Sequence, residues 1–194
     1  MSPTRRLLPS RRTPYDDRYP TCERVLAKLR IYGVDLDPAT VTEQLQIEPT
    51  ESQKKGEVRT NSLGRQRSPK IGGWFLSSED KVASKDLRRH LDWLLQLLTP
   101  RADAICALQD TEGITMMVDC IWWSAHGDGG PTLWPEQMRA LADLNLECSF
   151  DISFFGEDDE PHYTISKETA EQLNRALRKR IGSRPRQSGR NRGK

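Results

Sequence analysis

From Leu146 to Phe154 apolar and polar residues alternate without a break, with Leu146, Cys148, Phe150, Ile152 and Phe154 on one side and Glu147, Ser149, Asp151 and Ser153 on the other. A period of two is the period of a β-strand and sets five apolar side chains on a single face, so this segment demands a sheet with one dry side. Val25 to Tyr32 repeats the pattern, placing Val25, Ala27, Leu29 and Ile31 against Leu26, Lys28, Arg30 and Tyr32 before Gly33 ends the run. Between the two, Leu87, Leu91, Leu94, Leu95 and Leu98 recur at helical spacing. Ser84 is the expected cap of that helix, with Asp86 in its first turn complementing the dipole. A chain that carries both periods within 194 residues reads as one α+β domain with appendages.

The remaining elements are weaker but ordered. Asp37-Pro38 predicts a helix over about 38–46 with Val41 and Leu45 as its stripe. Residues 48–72 read as a long polar loop with a minor strand around Val58, followed by a strand over 73–78. Pro100 interrupts the Leu-rich helix, and 102–108 supplies a second helical piece. A β-rich run covers 114–123, and Pro135 opens a helix with Met138, Leu141 and Leu144. Ser166 caps a last helix over about 167–180, with Ala170, Leu173 and Leu177 as its apolar line. The order is strand-helix-strand, linking helix, strand-helix-strand, terminal helix. The two Xaa-Pro helix starts, Asp37-Pro38 and Trp134-Pro135, suggest an internal duplication, and two such units predict a ferredoxin-like α+β sandwich.

Charge divides the chain into three. Residues 1–20 carry five Arg and two Asp, residues 175–194 carry nine Lys/Arg and no acid, and the segment between has 16 Lys/Arg against 26 Asp/Glu. Basic, Pro- and Gly-containing ends bury too little apolar surface to offset their ordering entropy. We therefore expect a disordered basic arm over 1–21, a single domain over 22–180 and a disordered basic tail over 181–194. Cys22, Cys106, Cys120 and Cys148 are scattered without a Cys-x-x-Cys pair, which fits a reducing compartment and no metal site or cofactor, and Cys120 and Cys148, alternating with apolar residues inside strands, read as small buried hydrophobes. No apolar run approaches the roughly 20 residues of a spanning helix. The expectation is a soluble, cytoplasmic protein without membrane contact.

The run containing Leu29-Arg30-Ile31-Tyr32-Gly33, Asp37-Pro38, Glu48-Pro49-Thr50, Lys55-Gly56-Glu57, Gly73-Trp74-Phe75-Leu76 and His90-Leu91-Asp92-Trp93-Leu94-Leu95 resembles the bacterial domain-of-unknown-function family numbered 4279 over about residues 25–155. The resemblance implies a small cytoplasmic bacterial protein and carries no activity, cofactor or catalytic residue with it. The basic ends fall outside the family pattern.

Catalytic motifs are missing: there is no Gly-x-Ser-x-Gly, no phosphate loop ending in Lys-Ser/Thr and no His-Glu-x-x-His. No catalytic residue is therefore assigned. The acidic turn over 157–160 with His162 lacks the alternating ligands of a cation loop and reads as a solvated turn. Strand parity puts Trp122 and Trp123 on opposite faces, and the same parity sets Tyr32, Trp123 and Phe155 on an outer sheet surface suited to a protein partner or a second copy. In the long loop, Lys54, Lys55, Arg65, Arg67 and Lys70 project toward the strand of Trp74 and Glu79. A pocket holding Lys55, Arg65, Trp74 and Glu79 would suit an anionic small molecule and an enzyme. The leading expectation is a non-enzymatic binding or adaptor domain that meets a protein partner through the sheet face or the basic loop. The alternative is a nucleic-acid-associated protein tethered by Arg178, Lys179, Arg180, Arg184, Arg186, Arg190 and Arg192.

Overall fold

The computed structural model describes residues 12–60 and 64–154. Its elements are strands β1 (Cys22–Gly33), β2 (Glu51–Gln53), β3 (Arg59–Thr60), β4 (Gln66–Arg67), β5 (Gly72–Ser77), β6 (Ile114–Ser124) and β7 (Glu147–Phe154), and helices α1 (Pro38–Leu45), α2 (Leu87–Leu98), α3 (Ala102–Gln109) and α4 (Pro135–Asp143). Five strands make one mixed sheet in the order β2-β5-β1-β6-β7, and β3 and β4 pair as a separate small ribbon. The fold is α+β, with its helices packed against this sheet. β1 lies at the centre, antiparallel to both β5 and β6; β2 is antiparallel to β5, and β7 runs parallel to β6. β1 and β2 are thus parallel and straddle β5, while β5 and β6 are parallel and straddle β1. The expected loop over 48–72 contains β2 and the β3-β4 ribbon; strands of two or three residues are too short for periodicity to reveal.

The alternation of β1 does what its period requires. Val25, Ala27, Leu29 and Ile31 are buried against the helices, while Lys28, Arg30 and Tyr32 are half-buried on the opposite, outer face. Leu87, Leu91, Leu94 and Leu98 of α2 enter the same core, and each such side chain removed from water contributes roughly 1.5–3 kcal/mol. Asp37 caps α1 by accepting from Ala39 N–H, with Pro38 at the first position. For α2 the cap is Asp86, which accepts from Arg88 N–H; Ser84, expected in that role, instead accepts from Asp86 N–H. The cap moved because the helix begins one residue after Asp86, whose backbone is extended.

Trp122 is buried in the core at 1% exposure and Trp123 sits half-buried on the outer face, under the Arg24 guanidinium. On β7 the apolar side is less covered than its alternation implies: Leu146 is buried and Cys148 half-buried, but Phe150, Ile152 and Phe154 are exposed. The helix expected over 167–180 lies outside the described residues, as does the acidic turn after β7.

The expectation of a disordered arm over 1–21 fails for residues 12–21, whose last residues run into β1. Arg88 is 3% exposed beside Asp86 at 2%, and a buried guanidinium needs acceptors for all its N–H groups. Asp86 takes two of these bonds, and Thr13 O, Thr13 Oγ1 and Pro14 O take the rest at 2.7–3.1 Å. The Tyr15 ring packs on Trp134, its hydroxyl donates to Asp92, and Asp16 N–H donates to Asp86. Satisfying a buried charge, which composition does not register, holds this segment in place. Residues 1–11 lie outside the described residues.

Candidate functional site

On the outer face the register lines up side chains from three strands. Arg30 stands opposite Phe75, and Glu51 stands on the other side of Phe75; Tyr32 stands opposite Gly73, and Gln53 beyond it. Gly73 has a steric reason to be glycine. A Cβ there would meet the Phe75 ring at 2.6 Å, so the far end of the ring fills the space over this position. Tyr32 meets Phe75 edge-on at 5.2 Å between centroids, and Lys28 Nζ sits 4.9 Å from the Phe75 centroid and 3.4 Å from Glu51. Arg30 is held from the other side by a 2.7 Å ion pair with Asp119.

The chain between β4 and β5 walls this surface. Gly56 N–H donates to Pro69 O at 2.8 Å, and Gln53 Nε2 donates to Ile71 O at 3.2 Å. These bonds fold the 67–71 segment back beside β2. The result is a cleft of about 680 Å³ lined by Lys28, Arg30, Tyr32, Glu51, Arg67, Lys70 and Phe75, among others. Four cations face one carboxylate there. Lys28 and Arg30 are partnered, whereas Arg67 and Lys70 are exposed and make no ion pair among the described residues. Such a surface can hold carboxylates or phosphates through charge-assisted hydrogen bonds while an apolar group rests against Tyr32.

Of the residues expected to form a site, Tyr32 is in this cleft. Lys55, Arg65, Trp74 and Glu79 do not come together. Lys55 pairs with Asp35 at 3.0 Å, past the end of β1, and Glu79 pairs with Arg24 near its start. Arg24 and Gly33, the strand residues nearest those two anchors, are nine positions apart along β1, about 30 Å at strand rise. Trp74 faces the helices at 0% exposure and donates from Nε1 to Thr42 Oγ1 at 3.0 Å, so it is a core residue. Arg65 is exposed and has a partner of its own. Trp123 lies on the outer face but outside the residues lining the cleft. Phe155 and the basic residues from Arg178 to Arg192 lie outside the described residues. Alternation alone sets Lys28 on the face of Arg30 and Tyr32, whereas Glu51, Gln53 and Phe75 join that face only through the register between strands, which no local period reveals.

The imidazole of His90 stands on α2. It is buried, with Nε2 2.8 Å from Ser84 O and Nδ1 2.8 Å from Ser78 Oγ. A carbonyl only accepts, so Nε2 carries the proton and Nδ1 accepts from the Ser78 hydroxyl, whose oxygen accepts in turn from Ala27 N–H. Burial holds the imidazole below its ordinary pKa, against the opposing pull of Ser84 and Asp86. The ring is a neutral tie between α2, β1 and the turn after β5. Among the described residues no helix is long and apolar enough to cross a membrane, and no group of three or more His, Cys, Asp or Glu side chains is placed to hold a metal ion.

The fold and cleft define an α+β domain that presents a cationic, ring-lined surface on the side of its sheet away from the described helices. The chain belongs to the family described as Domain of unknown function (DUF4279), whose model matches residues 21–155. No curated protein and no solved structure matches it.

Proposed function

We propose that this protein is a non-enzymatic binding domain that holds an acidic segment of a protein partner in the outer-face cleft. The observation that carries the reading is the charge balance of the cleft, where Lys28, Arg30, Arg67 and Lys70 face Glu51 and two cations are unpaired among the described residues. Tyr32 adds the ring against which an apolar neighbour of the acidic residues packs. The four cysteines, none of them in a disulfide, favour a reducing cytoplasm as its setting. For the architecture we propose a ferredoxin-like arrangement, supported by the interleaving of β1-α1-β2 with the β5-to-β6 connection. The repeated Xaa-Pro helix starts support a duplicated unit, although β1-α1-β2 closes around β5 and β6-α4-β7 closes directly.

The test is titration of the full chain with an array of Asp/Glu-rich peptides at two salt concentrations. Binding should weaken with salt, and the double reversal Arg67→Glu with Lys70→Glu should lower affinity at least tenfold, because like charges then face across the cleft. Affinity unchanged by the reversal would sink the cleft as the binding surface. A second reading, nucleic-acid association, is favoured by the nine basic residues of 175–194 without a single acid. It predicts binding of an oligonucleotide that falls steeply with salt and disappears in a chain ending at residue 174.

A further inference from the structure

β6 and β7 run parallel with Val118 opposite Cys148 and Cys120 opposite Phe150. Residues two apart on one strand share a face, so Cys120 and Cys148 are diagonal neighbours on the helix side of the sheet. Their sulfurs are 3.7 Å apart. Cys120 is fully buried, while Cys148 is half-buried on a strand that only β6 pairs among the described residues. A thiol therefore sits within reach of small solutes, with a second thiol directly behind it.

We propose that Cys120 and Cys148 form a dithiol site that a hydroperoxide oxidises to an intramolecular disulfide. Cys148 is the attacking sulfur. The hydrogen bond from the Cys120 thiol favours its thiolate and holds Cys148 below the ordinary thiol range, while that same bond and then burial push Cys120 up. The Cys148 thiolate displaces hydroxide from the peroxide and becomes a sulfenic acid. The Cys120 thiol then attacks that sulfur, a water leaves with its proton, and the S–S bond forms. Two thiols lose two electrons, and one hydrogen peroxide becomes two waters. The sulfurs close by about 1.6 Å to bonding distance, and β7, paired on one side among the described residues, can slide to allow it.

The experiment treats the full chain with one equivalent of hydrogen peroxide, alkylates the remaining thiols and maps the peptides. Trypsin leaves Cys106 and Cys120 on the same fragment, so cleavage after Glu112 is added to separate them. The expected product is a linked Cys120–Cys148 pair, lighter by about 2 Da than the reduced pair and restored by dithiothreitol. In Cys120→Ser a sulfenic acid at Cys148 should persist and react with dimedone; in Cys148→Ser the Cys120 thiol should remain alkylatable after unfolding. Oxidation confined to the exposed Cys106, or Cys148 oxidised while Cys120 stays free, would overturn the proposal. The native chain alone decides this, whatever the stability of the variants.

Discussion

Two groups of charged side chains in this protein use the same chemistry to opposite ends. Around Asp86 and Arg88 every guanidinium donor has an acceptor, both residues are at most 3% exposed, and residues 13–16 serve the pair. On the outer face, Lys28 and Arg30 are anchored by Glu51 and Asp119, but Arg67 and Lys70 stand exposed over the cleft. The first group is closed on itself and can only hold the fold. The second keeps donors in reserve, and donors in reserve are what a ligand needs. Satisfaction of the charges, more than their number, separates scaffold from site.

The largest effect should come from opening the closed group. Asp86→Ala leaves Arg88 buried without its carboxylate and should cost about 3–5 kcal/mol in a urea titration. It should also loosen residues 12–17, read as faster amide exchange. The same contrast appears against pH. Burial pushes the Asp86 carboxyl up, but hydrogen bonds from Arg88 and from the N–H groups of Asp16 and Arg88 outweigh it and hold the group below its ordinary value. A lowered carboxyl pKa contributes stability that is present above the unfolded value near ~4 and is lost as pH falls through the folded one. The native chain should therefore weaken below about pH 4 more steeply than Asp86→Asn. A parallel response in the two chains would show that the pair does not behave as a closed unit.

A smaller effect is expected at His90. Its folded pKa is lowered, so the neutral ring belongs to the fold and the unfolded chain binds the proton more readily. Stability should be full above about pH 6.5 and decline as pH falls toward the folded value. His90→Ala should remove that decline and cost about 1–3 kcal/mol for the Ser78 hydroxyl left without its acceptor. Urea midpoints between pH 7.5 and 5.5 measure both.

The smallest effect should be on the outer face, where Arg67→Ala and Lys70→Ala should each change stability by no more than about 0.5 kcal/mol while weakening acidic-peptide binding. If either destabilises the chain as Asp86→Ala does, the distinction between closed and open charge groups is lost.

Much of this architecture was legible in sequence because it is written in local periods. Alternation marked β1 and β7, a β-rich run marked β6, the Leu stripe marked α2, and Asp37-Pro38 and Trp134-Pro135 marked the starts of α1 and α4. Each signal spans a few residues and depends on chain geometry alone. Parity also separated Trp122 from Trp123 and set Tyr32 outward. It failed to place Trp74, since alternation says that Trp74 and Phe75 face opposite ways but not which of them faces the helices. That is decided by pairing, with Trp74 opposite the buried Ile31 and Phe75 opposite the outward Arg30.

The candidate site was less legible, for the same reason. Lys55 and Arg67 read alike as cations of one polar loop, yet Lys55 turns to Asp35 and Arg67 lines the cleft. The choice is made by backbone bonds such as Gly56 to Pro69 and by the Gln53 side chain on Ile71, contacts between residues far apart in the chain. Residues 12–17 show the same limit, because the basic, Pro-containing composition of residues 1–20 as a whole forecast disorder while Arg88, more than seventy positions away, supplied the donors they satisfy. The sequence by itself determined the period of each element and therefore which residues share a face. Only the tertiary structure decided which faces meet, because hydrogen bonds and burial act between atoms close in space whatever their separation along the chain.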